Sequence, residues 1–241
     1  MGAQTHDQIV ARVIAIPEYS VSFKQAFGSA PTIDAIAKAI ASYERTLVSA
    51  NSPFDKYVAG DVKALSESAR NGMMLSRSKA RCTVCHLFNQ SFPFLTDGNY
   101  RNTGVAANFS GFDSLTRRAI ALSRDDSKGA LDGLLKLDGS YELGRFLFTG
   151  NSLDIGAYRT PSLRNVELTA PYFHDGSAAT LADVVRFYVK GGNENPMRDW
   201  QLEAVDLTEG EQRDLVEFLK SLTGDEARRM AQAESSNANF K

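Results

Sequence analysis

The segment Cys82-Thr83-Val84-Cys85-His86 sets two thiols three positions apart, with an imidazole directly after the second. Thiols at this spacing can add to the two vinyl groups of one haem, and the adjacent histidine then reaches the iron from one side. The tether holds the cofactor even when an iron bond breaks, which suits a chain that cycles between oxidation states. Two other chemistries use paired cysteines. A thioredoxin-like dithiol belongs at a strand–helix junction of a βαβ unit, and no such pattern surrounds Cys82. A structural zinc ion needs four ligands at workable spacing, yet only His6 and His174 remain outside the motif, and there is no further cysteine. One covalent haem c is therefore expected, with His86 as an axial iron ligand.

At 241 residues the chain can bury a substantial core, as one large domain or two small ones. Its content of 43% hydrophobic and 23% charged residues is that of an ordinary globular protein. The formal net charge of −2 argues against a general nucleic-acid binder, and Arg117-Arg118 and Arg228-Arg229 read as solvated faces. No apolar run approaches the roughly 20 residues needed to span a bilayer. Two cysteines, both in one motif, exclude a disulfide framework. Met1-Gly2-Ala3-Gln4-Thr5-His6 has neither a basic stretch nor an apolar one, so it does not read as a signal peptide. Haem c is ordinarily attached after export. Either a leader has been removed or the chain is an internal piece of a longer one.

The elements that must position the motif are mainly helical. Thr32 is a helix cap, followed by Ile33, Ile36, Ala37, Ile40 and Leu47 at helical spacing up to a break at Asn51-Ser52-Pro53. A second helix starts at Ser66 and leads toward the cysteines; Gly72 inside it allows close packing, although glycine costs about 1 kcal/mol relative to alanine. From Leu87 to about Pro161, frequent glycines predict long loops, with one helix near Leu115–Leu122. Loops of that length in a compact domain need a functional reason, and wrapping a macrocycle supplies one. A further helix begins at Thr180 and stops at Gly191-Gly192. Thr208 and Glu211 form a capping-box pattern ahead of the stripe Leu215, Phe218, Leu219 and Leu222. The tail after Asp225 is polar and is expected to fray.

Around the motif, longer stretches resemble the bacterial dihaem cytochrome c peroxidases and the related MauG-like proteins. These are Glu44-Arg45-Thr46-Leu47-Val48-Ser49, Ser52-Pro53-Phe54-Asp55-Lys56-Tyr57, Gly60-Asp61, Thr96-Asp97-Gly98 and Asn102-Thr103-Gly104-Val105. Further along come Thr160-Pro161-Ser162-Leu163-Arg164-Asn165, Ala170-Pro171-Tyr172-Phe173-His174-Asp175-Gly176 and Phe218-Leu219-Lys220-Ser221-Leu222-Thr223-Gly224. The resemblance runs in order over about residues 10–224 and favours the internal-piece reading of the N-terminus. It implies a mainly α fold: residues 1–61 are helices from the end of an N-terminal peroxidase domain, residues 62–224 are a cytochrome c-like haem domain with long loops, and 225–241 are a polar tail. This chain departs from the family in having a single Cys-x-x-Cys-His. The tryptophan that lies between the two haems has no counterpart, since Trp200 follows the main motifs and reads as packing.

For the sixth iron ligand, Tyr188, Met197, Met73, Met74, Met230 and His174 are candidates. The resemblance sets Tyr188 where peroxidases carry an axial methionine and MauG-like proteins a tyrosine. Phenolate is a hard anionic donor that stabilises ferric iron and lowers the potential relative to a thioether. Met197 and an open position are the alternatives, and Tyr188 as an amphipathic core residue is the plain one. His174 resembles a family histidine near the haem that could bond a propionate or an interior water; a surface turn is the other reading. Arg159 and Arg164 could pair with propionates or be solvated. The resemblance also implies a calcium site using Thr169 and Pro171, weakened because another ligand belongs to a segment not present here.

Three functions follow. The first is the electron-transfer domain of a dihaem peroxidase that reduces hydrogen peroxide, fed by a small cytochrome c or cupredoxin. The second is a single-haem carrier without chemistry of its own. The third is a MauG-like oxidase acting on a partner protein. Haem chemistry implies the periplasm, and the family permits a homodimer.

Overall fold

The computed structural model describes residues 5–88, 94–122 and 133–238. The chain divides into two compact units, Met1–Val48 and Ser49–Lys241. The first holds α1 (His6–Ile14), α2 (Pro17–Phe27) and α3 (Ile33–Glu44), packed on Phe23, Ala35 and Ile36, with Ile9, Val10 and Val13 against them. Thr32 caps α3 as expected, its hydroxyl accepting from the Ala35 N–H at 3.1 Å. That helix ends at Glu44 rather than running on past Leu47. Beyond it the Thr46 hydroxyl donates to the Tyr43 carbonyl (2.7 Å), a local bond that competes with helix continuation.

The second unit contains α4 (Pro53–Val58), α5 (Glu67–Arg77), α6 (Phe112–Leu122), α7 (Phe146–Thr149), α8 (Leu181–Val189), α9 (Glu209–Lys220) and α10 (Asp225–Ala238). Two short strands, β1 (Tyr100–Arg101) and β2 (Tyr158–Arg159), pair antiparallel with Tyr100 opposite Arg159 and Arg101 opposite Tyr158. The division between units falls ahead of the boundary expected at residue 61. Burial explains why: Phe54 of α4 is 1% exposed and packs with Phe88 and Phe218 in a triangle of rings 5.6–5.8 Å apart.

The pair α5 and α9 forms the frame of this unit. Ser66 caps α5, and Thr208 and Glu211 complete the expected capping box on α9. A Cβ on Gly72 would lie 2.0 Å from the Asp214 carbonyl oxygen, so only glycine lets the two backbones come this close. Between and beside them lies a core of Phe54, Leu65, Ala69, Met73, Leu95, Phe218 and Leu222. A second core, including Phe112, Leu115, Leu143, Phe146 and Ile155, closes the loop-rich half. Among the described residues of that half, α6 stands where one helix was anticipated and α7 is a further helical turn; residues 89–93 and 123–132 of the expected loops lie outside the described residues. After α8, Gly191 and Gly192 take positive φ, and a Cβ on Gly192 would meet the Thr103 carbonyl oxygen at 2.3 Å; the two loops therefore lie flush.

The expected fraying tail is instead helical over Asp225–Ala238. Asp225 sits in its first turn, where a carboxylate complements the helix dipole, and it is held by Asn51 Nδ2 at 2.5 Å and Lys56 Nζ at 3.0 Å. Polarity alone misjudged a stretch rich in good helix formers. Among the described residues no helix is long and apolar enough to cross a membrane.

Replacing Gly72 with alanine should lower stability by about 1–3 kcal/mol through overpacking, because the obstructing atoms are backbone. Denaturant unfolding should show a lower midpoint with an unchanged slope.

Candidate functional site

The cysteines follow α5. Arg81 adopts a left-handed conformation (φ 55°) and redirects the chain into a tight turn over Cys82–Val84. Within it the Cys85 and His86 N–H groups both donate to the Cys82 carbonyl, at 3.3 and 2.9 Å. The two thiols and the imidazole thus issue from one short turn. His86 Nδ1 lies 2.9 Å from the Leu95 carbonyl oxygen. A carbonyl only accepts, so Nδ1 carries the hydrogen and Nε2 the lone pair, which is the tautomer that suits a metal ligand. Burial lowers the imidazole below its ordinary range, partly opposed by the Leu95 carbonyl, the Asp97 charge and the Pro161 carbonyl. The ring is accordingly neutral at neutral pH.

Burial pushes the Cys82 thiol up to about 11 and also raises Cys85. Exchange-active dithiols need the opposite shift, so thiol–disulfide chemistry does not fit this turn. Among the described residues no group of three or more His, Cys, Asp or Glu could hold a metal ion.

Tyr188 lies on the last turn of α8, whose start is fixed by the Thr180/Asp183 capping box. The residue is 37% exposed overall, but its hydroxyl end is enclosed. Burial raises the phenol well above its ordinary value, and the charges of Cys85 and Cys82 raise it further. The hydroxyl therefore shares its surroundings with both thiols. Of the methionines, Met73 is in the core between α5 and α9, Met197 packs on the second core, and Met74 and Met230 are exposed.

His174 is engaged by protein groups. Its Nε2 is 2.8 Å from Glu142 Oε2, and its ring stacks on Tyr158 with centroids 3.7 Å apart. On that nitrogen a buried carboxylate takes the place of the expected propionate or water. Arg159 is exposed on β2, near Gly98. Arg164 is committed to Asp55 by two bonds of 2.8 and 2.9 Å; the anion it pairs with is a side chain rather than a propionate. Thr169 and Pro171 flank Ala170 in an exposed turn, and Trp200 is 80% exposed, so it packs in no core.

Sequence reasoning missed Arg101. Its NH2 bonds Asp97 at 2.8 Å and its NH1 bonds Asp199 at 2.9 Å and also Gln201. Asp97 in turn donates its backbone N–H to the Cys85 carbonyl at 2.8 Å. Arg101 Nε is buried and meets no acceptor among the described residues. A buried unmet donor costs about 1–3 kcal/mol, and an anionic haem propionate is the kind of group that would satisfy it. Two thiols, a lone-pair nitrogen, an enclosed phenol and an unmet cationic donor together match haem c.

A profile of the family described as di-haem cytochrome c peroxidase matches residues 1–63. Over 216 residues the chain is 38% identical to cytochrome-c peroxidase IdrP1 of Denitromonas iodatirespirans, covering 88% of this chain and 56% of that protein. Over 225 residues it is 32% identical to methylamine utilization protein MauG of Methylorubrum extorquens, covering 92% of this chain and 54% of the relative. The chain belongs to the dihaem cytochrome c peroxidase and MauG family. The crystal structure of a MauG-like protein associated with microbial copper homeostasis is similar at 30% identity and TM-score 0.66, over 91% of this chain and 62% of that one. The dihaem peroxidase BthA of Burkholderia thailandensis, 20% identical over 93% of this chain and 60% of its own, shares the fold with TM-score 0.61. The chain spans about half the length of the curated family members it matches, 54–56% for the two above. Like the members it resembles, it is mainly helical.

One acid-limb consequence follows from this geometry. Burial alone would raise Asp97, but the Arg101 guanidinium and the Asn99 donors overcome it and hold the carboxyl at about 2. The folded value lies below the unfolded one, so the stabilisation is complete above about pH 4 and disappears as pH falls toward 2. Asp97→Asn should lose about 2 kcal/mol at neutral pH and match the parent near pH 2, as read from denaturant unfolding across that range.

Proposed function

We propose that this chain carries one covalent haem c and serves as the electron-transferring haem domain of a periplasmic, dihaem peroxidase-like oxidoreductase. Hydrogen peroxide is the terminal substrate, and a small cytochrome c or cupredoxin is the electron donor. One observation carries the reading: the His86 ring fixed by Leu95 and the Tyr188 hydroxyl share the surroundings of the same two cysteines. In this reading residues 1–61 derive from the end of the N-terminal peroxidase domain, with 49–61 packed into the second unit; the profile match over 1–63 agrees in extent.

When bound, the haem supplies reversible one-electron exchange. Cys82 and Cys85 would hold it by thioethers, and His86 Nε2 and the Tyr188 hydroxyl would serve as iron ligands. Burial keeps the Tyr188 proton in place at neutral pH; a metal cation is what would displace it, because ligands bind deprotonated. Arg101 and Arg159 would be available to pair with propionates. His174 is held by Glu142 and stacked on Tyr158, which stiffens the loop it belongs to. Calcium on Thr169 and Pro171, and a homodimer, rest on the family resemblance alone. The MauG-like alternative, oxidation of a partner protein, is favoured by one specific feature, the tyrosine at 188.

Expression with cytochrome c maturation tests the reading. The chain should emerge coloured, with the mass of one added haem, and a Cys82→Ala, Cys85→Ala double variant should not retain it covalently. A colourless chain of unmodified mass would overturn the proposal. Peroxide-dependent oxidation of a reduced small cytochrome by this chain would overturn a pure-carrier reading; a coloured but inert chain leaves the peroxide chemistry to the partner or segment that holds the other haem. For the distal side, Tyr188→Met should introduce the red methionine–iron charge-transfer band and raise the reduction potential. The same band in the parent would remove Tyr188 from the iron.

A further inference from the structure

We infer that the buried Asp97–Arg101–Asp199 cluster sets the redox balance of the iron, biasing the bound haem toward its ferric state. This rests on the haem reading above. The side chains of Arg101, Asp97 and Asp199 are 19%, 6% and 13% exposed. One guanidinium serves two carboxylates, at 2.8 and 2.9 Å, with the neutral Gln201 amide as its third partner. The set is left with one uncompensated negative charge. The other charged groups nearby do not cancel it: Arg81 pairs with Glu203 at an exposed position, Arg198 with Glu194, and Arg159 is exposed.

This charge lies against the haem-binding turn. Asp97 donates its N–H to the Cys85 carbonyl and acts electrostatically on His86, while Arg101 and Asp199 act on Cys85. Buried charges are poorly screened by salt, and an anion stabilises the more positive oxidation state of a neighbouring metal. One carboxylate on the guanidinium is enough to join the 97–101 and 199–201 segments; the second leaves the set with a net buried charge that joining does not require.

The test is the midpoint potential of the haem-loaded chain, read by spectroelectrochemistry alongside visible spectra that report iron ligation. Asp199→Asn should raise the potential, giving a several-fold lower ferric-to-ferrous ratio at a fixed applied potential. Arg101→Gln should shift that ratio several-fold the other way, and Arg101→Lys should stay near the parent. A loss of packing would move both neutralising variants in the same direction or alter ligation; opposite shifts with unchanged spectra are specific to charge. Shifts of one sign, or none, would overturn the inference while leaving the haem assignment intact. If Arg101→Gln does not fold, Asp199→Asn decides the matter: no rise in potential overturns it. A colourless parent chain is the separate failure, that of the haem reading itself.

Discussion

The contact on which the site depends is the hydrogen bond from His86 Nδ1 to the Leu95 carbonyl. It fixes which ring nitrogen keeps a lone pair and aims that nitrogen. Leu95 is suited to hold it because its own side chain is fully buried among Phe54, Leu65 and Phe218, while its backbone takes a left-handed φ of 55°. That conformation costs an L residue about 1–2 kcal/mol, and burying a leucine side chain is worth about as much or more. The imidazole is therefore held by the central core, and that core exists because Gly72 lets α5 and α9 approach. Helix packing, backbone strain and ligand tautomer are links in one chain of cause.

Polar burial in this unit follows two patterns. Arg164 with Asp55 is a balanced pair, bidentate and half-enclosed, and it also satisfies the end of α4 through the Ser52–Asp55 capping box. Asp97, Arg101 and Asp199 are unbalanced, and Glu142 with His174 and Tyr158 places a carboxylate that is 4% exposed beside a stacked imidazole. Breaking a buried pair by removing one member is far more damaging than replacing the whole. Both sets draw on the loop-rich half, where strand pairing across β1 and β2 also brings Arg101 alongside Tyr158.

Local signals in the sequence carried well. Thr32, Ser66, Thr180 and the Thr208/Glu211 box all mark helix starts, because a cap is satisfied within three residues. Cys82, Cys85 and His86 are local in the same sense, since one short turn brings the three together. What stayed hidden involves distant partners. Arg164 reads from the sequence as a propionate partner or a solvated residue, yet its carboxylate comes from Asp55. Arg101 drew no attention, since Asp199 and Gln201 reach it from across the fold. The C-terminal helix was hidden differently: it lacks an apolar stripe, and its anchoring by Asn51 and Lys56 cannot be read from composition.

The acidity of the cysteine turn bears on how the proposed cofactor would be joined to it. The thiolate is the nucleophilic form of cysteine, and in the folded chain burial pushes the Cys82 thiol up to about 11. Haem c attached here as proposed would therefore be joined more readily to a chain still open at this turn, and folding of the surrounding core would then enclose the product.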